Sequence, residues 1–216
     1  NQAAGFLLSG TPGPVVLSIP YNVQKELVDA SILEQIAFAR TGCEPVVPDE
    51  YIDRSLALIR ESERPLIIAG YGCIRAGAQA ALASISERLN IPVTSSMKAK
   101  GAVDERSALA LGSLGVTSGG YAMRYLEQEA DLAIVLGAGF NERTSYLWNE
   151  QLLAGKTVVQ VDIDNDQLDK VYTAHLSIHA DIGHDQQFLE FLECFFRQQC
   201  GERILHRGEF LLEELQ

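Results

Sequence analysis

The sequence predicts an α/β fold, a mostly parallel sheet with helices on both faces. Three observations carry that expectation. Short apolar runs recur at residues 66–69, 91–94, 131–136, 157–163 and 176–178. Helix-like segments separate them at the spacing of strand–helix–strand units. The runs close on glycine or polar residues: Gly70 and Gly72, Thr94 and Ser96, Gly137 and Gly139, Asp162 and Asp164, and Asp181. A continuous apolar run closed by a glycine turn and followed by a helix marks a strand buried on both faces.

Taken in order, residues 3–9 read as the last turns of a helix and residues 10–14, GTPGP, as a turn cluster. Residues 15–19 carry a strand pattern closed by Pro20. That strand has no evident partner, so it is expected to pair with a neighbouring chain or to lie across this one. Residues 21–48 read as a connecting segment with a helix over 29–40. Residues 49–61 form an amphipathic helix, with Ile52, Leu56 and Ile59 on one face and Asp49 and Glu50 at its start.

The first sheet strand follows at 66–69. A helix over 76–89 buries Ala80, Ile85 and Leu89, and a strand at 91–94 tolerates Pro92 near its beginning. Residues 95–107 read as a polar loop. The glycine-rich stretch 111–120 leads to a helix over 121–129. Residues 140–153 read as a loop with a short helix. Beyond the strand at 176–178, a helix over 185–198 presents Phe188, Leu192 and Phe195, and residues 202–216 read as a further helix or a tail.

Composition narrows the function. The chain has 216 residues, 47% of them hydrophobic, enough for one sizeable core. Its net charge of −12 argues against nucleic acid and against an anionic membrane surface. No apolar run approaches the roughly 20 residues of a membrane helix, and the start lacks the basic and apolar regions of a signal peptide. The chain opens on Asn1, and the expectation is a piece of a longer protein. Cys43, Cys73, Cys194 and Cys200 form no CxxC pair, so reduced thiols in a cytoplasmic protein are expected.

In parallel sheets ligands bind outside the carboxyl ends of the strands. Glycine there admits a diphosphate close to backbone N–H groups, and a carboxylate accepts hydrogen bonds from ribose hydroxyls. A bound nucleotide is therefore the chemical expectation. Each feature also has a plainer reading. Gly70-x-Gly72 followed by Gly77 lacks the GxGxxG spacing and equally serves a tight turn. Asp164 equally caps the next segment. Lys98 and Lys100 read as surface lysines, and Arg143 is the better candidate for an anion contact. His175, His179 and His184 lack an HExxH pattern, which argues against a metal site.

GTPGPVVLSIP resembles the end of the pyrimidine-binding domain of thiamine-diphosphate-dependent enzymes. RPLIIAGYGCIRAGA, IPVTSSMKAKG, ADLAIVLGAGFNERTS and VVQVDIDNDQLDK resemble, in order, the central domain of that superfamily, and most of all that of acetolactate synthase large subunits. The resemblance covers about residues 1–195. It implies a Rossmann-like three-layer domain with a mostly parallel, about six-stranded sheet. Residues 1–20 would be the tail of a preceding pyrimidine-binding domain and 21–48 a linker. Residues 49–198 would be the central domain, and 199–216 a C-terminal helix or linker to a diphosphate-binding domain.

The family's central domain holds FAD in the synthases and ADP in oxalyl-CoA decarboxylase. Carried over by position, Gly70, Tyr71 and Gly72 face the cofactor diphosphate or ribitol. Ser96 and Met97 touch the flavin portion, and Gly137, Gly139 and Arg143 match the family's GxRFDDR stretch. Asp162 and Ile163 contact ribose and adenine, with Asp181 and Ile182 near the adenine. The departures lie at Gly139, where the family has arginine, at Asn141 and Glu142 in place of paired aspartates, and at residues 116–119 in place of an MHG stretch. They remove a cation and a ring, which argues against FAD.

The GDG…N motif for magnesium and thiamine diphosphate is absent from the sequence. The resemblance thus implies a non-catalytic domain, with chemistry on a 2-keto acid left to an oligomeric parent that binds thiamine diphosphate and magnesium elsewhere. The alternatives are a stand-alone nucleotide-binding regulatory module and an empty structural domain.

Overall fold

The computed structural model describes residues 13–35 and 47–182, together with Ala3 and Leu7. The chain divides into two compact units, residues 1–44 and 45–216. In the first, Tyr21–Gln24 form a single helical turn, α1, and Ala30–Gln35 a 3-10 turn. Asp29 accepts the Ser31 N–H at 2.8 Å and so starts that turn. Residues 15–19 are not a strand. They have no regular structure, and Val16 is 90% exposed. Alternation alone does not make a strand; a ladder partner does, and among the described residues nothing pairs with this segment.

The second unit carries a six-stranded sheet, all of it parallel, in the order β3-β2-β1-β4-β5-β6. The strands are β1 (Pro65–Ala69), β2 (Val93–Ser96), β3 (Ala110–Leu114), β4 (Leu132–Leu136), β5 (Thr157–Asp162) and β6 (Leu176–His179). Alternation along β1 divides the core between the two faces. Ile67 and Ala69 pack with α2 (Asp49–Glu61) and with the helices after β1. Leu66 and Ile68 pack with α5 (Tyr121–Gln128) and with Phe140, Leu152 and Leu153 of the connection after β4. Helices and loops thus cover both faces, giving three layers, and the central strands are buried as their sequences imply.

Helix α2 spans the expected residues and buries Ile52, Leu56 and Ile59. After β1 the structure departs from the expectation. Two helices replace the single one over 76–89: α3 (Tyr71–Arg75) starts directly after Gly70, and α4 (Gln79–Leu89) follows a turn at Gly77, φ +68°. The phase of α4 therefore exposes Ala80 and buries Leu82, Ile85 and Leu89. β2 begins at Val93, because Pro92 has no N–H for the ladder, and runs on through buried Thr94, Ser95 and Ser96.

β3 has no counterpart among the expected strands. It is a glycine-interrupted edge strand whose register shifts against β2, with Gly112 at φ +78° and its carbonyl accepting the Thr94 hydroxyl. The short helix expected within 140–153 is absent. That stretch is a series of turns in which Tyr146, Leu147 and Trp148 all adopt left-handed φ values. The helices expected over 185–198 and 202–216 lie outside the described residues.

Candidate functional site

The strand order runs 3-2-1-4-5-6, so the connections leave in opposite directions on either side of the β1–β4 pair. That is the topological switch point, where open α/β sheets bind ligands. Gly70 follows β1, Gly137 follows β4, and Asp162 ends β5. All three sit at the carboxyl edge of neighbouring strands, as β1 pairs with β4 and β4 with β5.

The glycine turns meet backbone to backbone. The Gly70 N–H donates to Leu136 O at 2.7 Å, the Gly72 N–H to Gly137 O at 3.0 Å, and the Gly137 N–H to Val161 O at 2.8 Å. A Cβ on Gly70 would lie 1.9 Å from Gly137 O, and one on Gly137 would lie 2.6 Å from Gly72 Cα. Glycine at these positions is a packing requirement. The amides of Gly70 and Gly72 are engaged inside the protein, so they shape the floor of the crevice and are not open donors for a diphosphate. Tyr71, between them, is 48% exposed.

Around this floor the other loops converge. α3 packs against the 3-10 turn Met97–Ala99. Ser96 is buried and Met97 is exposed, with its sulfur 3.1 Å from the Thr117 hydroxyl. The Val116 N–H donates to Arg143 O at 3.1 Å, and the Arg143 side chain is exposed. Asn141 organises that loop by accepting the N–H groups of Arg143 and Thr144, each at 3.1 Å. Ile182 is buried beside Gly137, with Asp181 preceding it.

Asp162 is 7% exposed and accepts the Asp164 N–H at 2.9 Å. Burial pushes its carboxyl above the usual range, opposed by that N–H. Asp164 takes the capping role, accepting the Asp166 N–H at 3.0 Å. Half-buried Ile163 offers its carbonyl to His179 Nε2–H at 2.9 Å. Cys73, under the glycine floor, is fully buried and donates to Leu136 O. Burial pushes its thiol up to about 12, so it is an inert packing residue.

His175 and His179 do structural work, and His184 lies outside the described residues. His175 Nδ1 accepts the Val158 N–H at 3.1 Å, tying the entry of β6 to β5. Among the described residues no group of three or more His, Cys, Asp or Glu side chains is placed to hold a metal ion, and no helix is long and apolar enough to cross a membrane.

Sequence reasoning missed the residues that build the β5–β6 connection. Gln160, 4% exposed on β5, donates through Nε2 to Gln167 O at 2.9 Å and accepts the Asp169 N–H at 3.1 Å. Asp169, φ +55°, accepts from the Ala174 N–H and the Ser177 hydroxyl. The polar residue inside the apolar run of β5 was the one available signal. A cavity of about 410 Å³ also lies beside β6, with Tyr51, Leu168, Ile178 and His179 among its walls.

Comparisons with known proteins fit this geometry. The family described as thiamine pyrophosphate enzyme, central domain, matches residues 52–192. The acetolactate synthase isozyme 1 large subunit of Escherichia coli K12 is 36% identical over 182 residues, covering 84% of this chain and 31% of that protein. The acetolactate synthase of Arthrospira platensis is 34% identical over 186 residues, covering 84% of this chain and 32% of that protein. A solved Mycobacterium smegmatis protein, described as a thiamin diphosphate-dependent enzyme, superposes with a TM-score of 0.67 at 25% identity, over 88% of this chain and 35% of that one. Benzoylformate decarboxylase from Polynucleobacter necessarius shares the fold, with a TM-score of 0.63 at 23% identity over 88% of this chain and 34% of that one. This chain spans about a third of the length of these relatives. The match, the strand order and the glycine turns agree: the chain belongs to the thiamine pyrophosphate enzyme central-domain family.

Proposed function

We propose that this chain is the non-catalytic central scaffold of a thiamine-diphosphate-dependent 2-keto acid carboligase or decarboxylase similar to acetolactate synthase, and that its carboxyl-edge crevice seats an adenine nucleotide. The observation that carries the nucleotide is the convergence of Gly70, Gly137 and buried Asp162 on adjacent strand ends at the switch point. In this reading Asp162 and Ile163 meet the ribose and the adenine, with Asp181 and Ile182 on the adenine side. Ser96, Met97 and Arg143 line the opposite end. Gly70, Tyr71, Gly72, Gly137 and Gly139 form the floor. Thiamine diphosphate and magnesium belong to other domains of a cytoplasmic, oligomeric parent, where the thiazolium would stabilise the carbanion formed on decarboxylation.

ADP is favoured over FAD. Gly139 supplies no cation at the turn after β4, and residues 116–119 supply no ring toward the flavin end. One observation favours a second reading, a scaffold with an empty crevice: the Gly70 and Gly72 amides are already engaged.

Calorimetric titration of the chain with ADP, FAD and CoA separates these. ADP binding supports the nucleotide reading, FAD binding the synthase-like form of it, and no binding the empty scaffold. Asp162→Ala is expected to weaken ADP by about 1–3 kcal/mol, the cost of stranding a polar partner. Unchanged affinity in that variant removes Asp162 from the site.

A further inference from the structure

We propose that Gln167 is a built-in plug of the nucleotide crevice, seated over Gly139 so that an incoming ligand has to displace it. This rests on the nucleotide reading above and adds what regulates access to that site. On Gly139, which follows β4, a Cβ would lie 2.6 Å from Gln167 Oε1 and 3.4 Å from its Cδ. The Gln167 carboxamide thus fills the space into which any side chain at 139 would project. The seat exists because residue 139 is glycine.

One hydrogen bond holds the carboxamide itself, and two hold the backbone that carries it. Gln167 Nε2 donates to Asp164 Oδ2 at 3.3 Å. The Gln167 N–H donates to Asp164 O at 2.9 Å, and Gln167 O accepts from Gln160 Nε2 at 2.9 Å. Gln160 is 4% exposed on β5, so the backbone of Gln167 is anchored to the sheet. The carboxamide's hydrogen bond to Asp164 is long, and Gln167 is half-buried. A fixed backbone with a weakly held side chain is the arrangement of a part that swings out without unfolding its loop. Asp164 lies two residues beyond Asp162, which accepts the Asp164 N–H. The plug is therefore tied to the same loop that positions the proposed ribose-binding carboxylate.

A ligand that competes with a closed side chain binds more weakly by the fraction of molecules in which the site is open. With the closed state held by one modest hydrogen bond and its packing, removing the plug is expected to tighten binding about 3- to 10-fold.

The experiment titrates ADP by calorimetry into the wild-type chain, Gln167→Ala, Gly139→Ala and the double variant. Gly139 is not in the left-handed region, so alanine there costs no backbone strain; its methyl meets the far end of a flexible side chain and evicts it. Gln167→Ala is expected to bind ADP about 3- to 10-fold tighter than wild type. The two substitutions are expected to be non-additive, because both remove the Gln167 carboxamide from one seat. Binding by Gln167→Ala where wild type shows none also supports the plug. Equal affinity in wild type and Gln167→Ala overturns the plug and leaves the nucleotide reading standing. Weaker binding by Gln167→Ala overturns it too, making Gln167 a ligand contact. No ADP binding by any of the four proteins overturns the nucleotide reading and the plug with it.

Discussion

Asp131 sits at the amino edge of the sheet, opposite the crevice, and it offers the sharpest test of how this domain holds together. Its carboxylate accepts the Ser62 hydroxyl, the Glu63 N–H at 2.7 Å and the Arg64 N–H at 3.0 Å. Its own N–H donates to Arg64 O, and its carbonyl accepts the Thr157 N–H. One residue thus ties together the chain entering β1, β4 and β5. Partial burial works against the charged carboxylate, but the three donors outweigh it and hold the group below its usual range. Asp131→Ala removes all three acceptor contacts. Hydrogen bonds to charged groups contribute about 1.5–3 kcal/mol when well buried. This site is half-exposed, and solvent screening trims that figure, so the expected loss is about 2 kcal/mol in total at pH 7.

The pH dependence has a definite sign. A carboxyl whose folded pKa is depressed stabilises the fold above its unfolded value, near 3.9, and loses that contribution as pH falls through the folded value. Urea unfolding of wild type and Asp131→Ala at pH 7 and at pH 3 reads both parts. The difference between the two proteins is expected to shrink as the pH falls into that window. A difference that stays near 2 kcal/mol at pH 3 would assign the effect to packing, and a difference below about 0.5 kcal/mol at pH 7 would refute the clasp altogether.

Two further substitutions probe the interior. Gly70→Ala places a Cβ 1.9 Å from Gly137 O, a backbone atom that cannot move aside, and is expected to cost about 3 kcal/mol or more in denaturant unfolding; a cost under 1 kcal/mol would contradict the interlocked turns. Tyr125 is buried with a hydroxyl that has no hydrogen-bond partner among the described residues, and burial pushes its phenol up to about 12. Tyr125→Phe is expected to leave stability unchanged or raise it by up to about 1 kcal/mol, and a clear loss in thermal unfolding would mean that the hydroxyl is satisfied after all.

The parts of this fold that were legible in the sequence are those whose burial is complete. β1, β4 and β5 are continuous apolar runs because both of their faces are covered, and α2 shows its buried stripe through Ile52, Leu56 and Ile59. β3 was not legible. Ala110–Leu114 is interrupted by a glycine bulge, and it is a strand only because β2 lies alongside it. The opposite error occurred at residues 15–19, whose strand-like pattern finds no ladder among the described residues.

At the site, the positions of Gly70, Gly137 and Asp162 followed from the rule that parallel strands end at a common edge. What they do there did not. The contact between the two glycine turns joins residues more than sixty positions apart, as Cys73 and Leu136 across the same junction show with a separation of 63. Gln167 over Gly139 and Asp131 under Arg64 are likewise long-range pairings that local propensity does not encode.

The most direct test of the crevice is to add ADP to the ¹⁵N-labelled chain and follow which backbone amides shift. The account predicts that shifts concentrate at residues 70–72, 96–97, 137–139, 162–163 and 181–182, along one edge of the sheet. Shifts confined to the amino edge around Asp131, or to the cavity beside β6 near Tyr51 and Leu168, would contradict it.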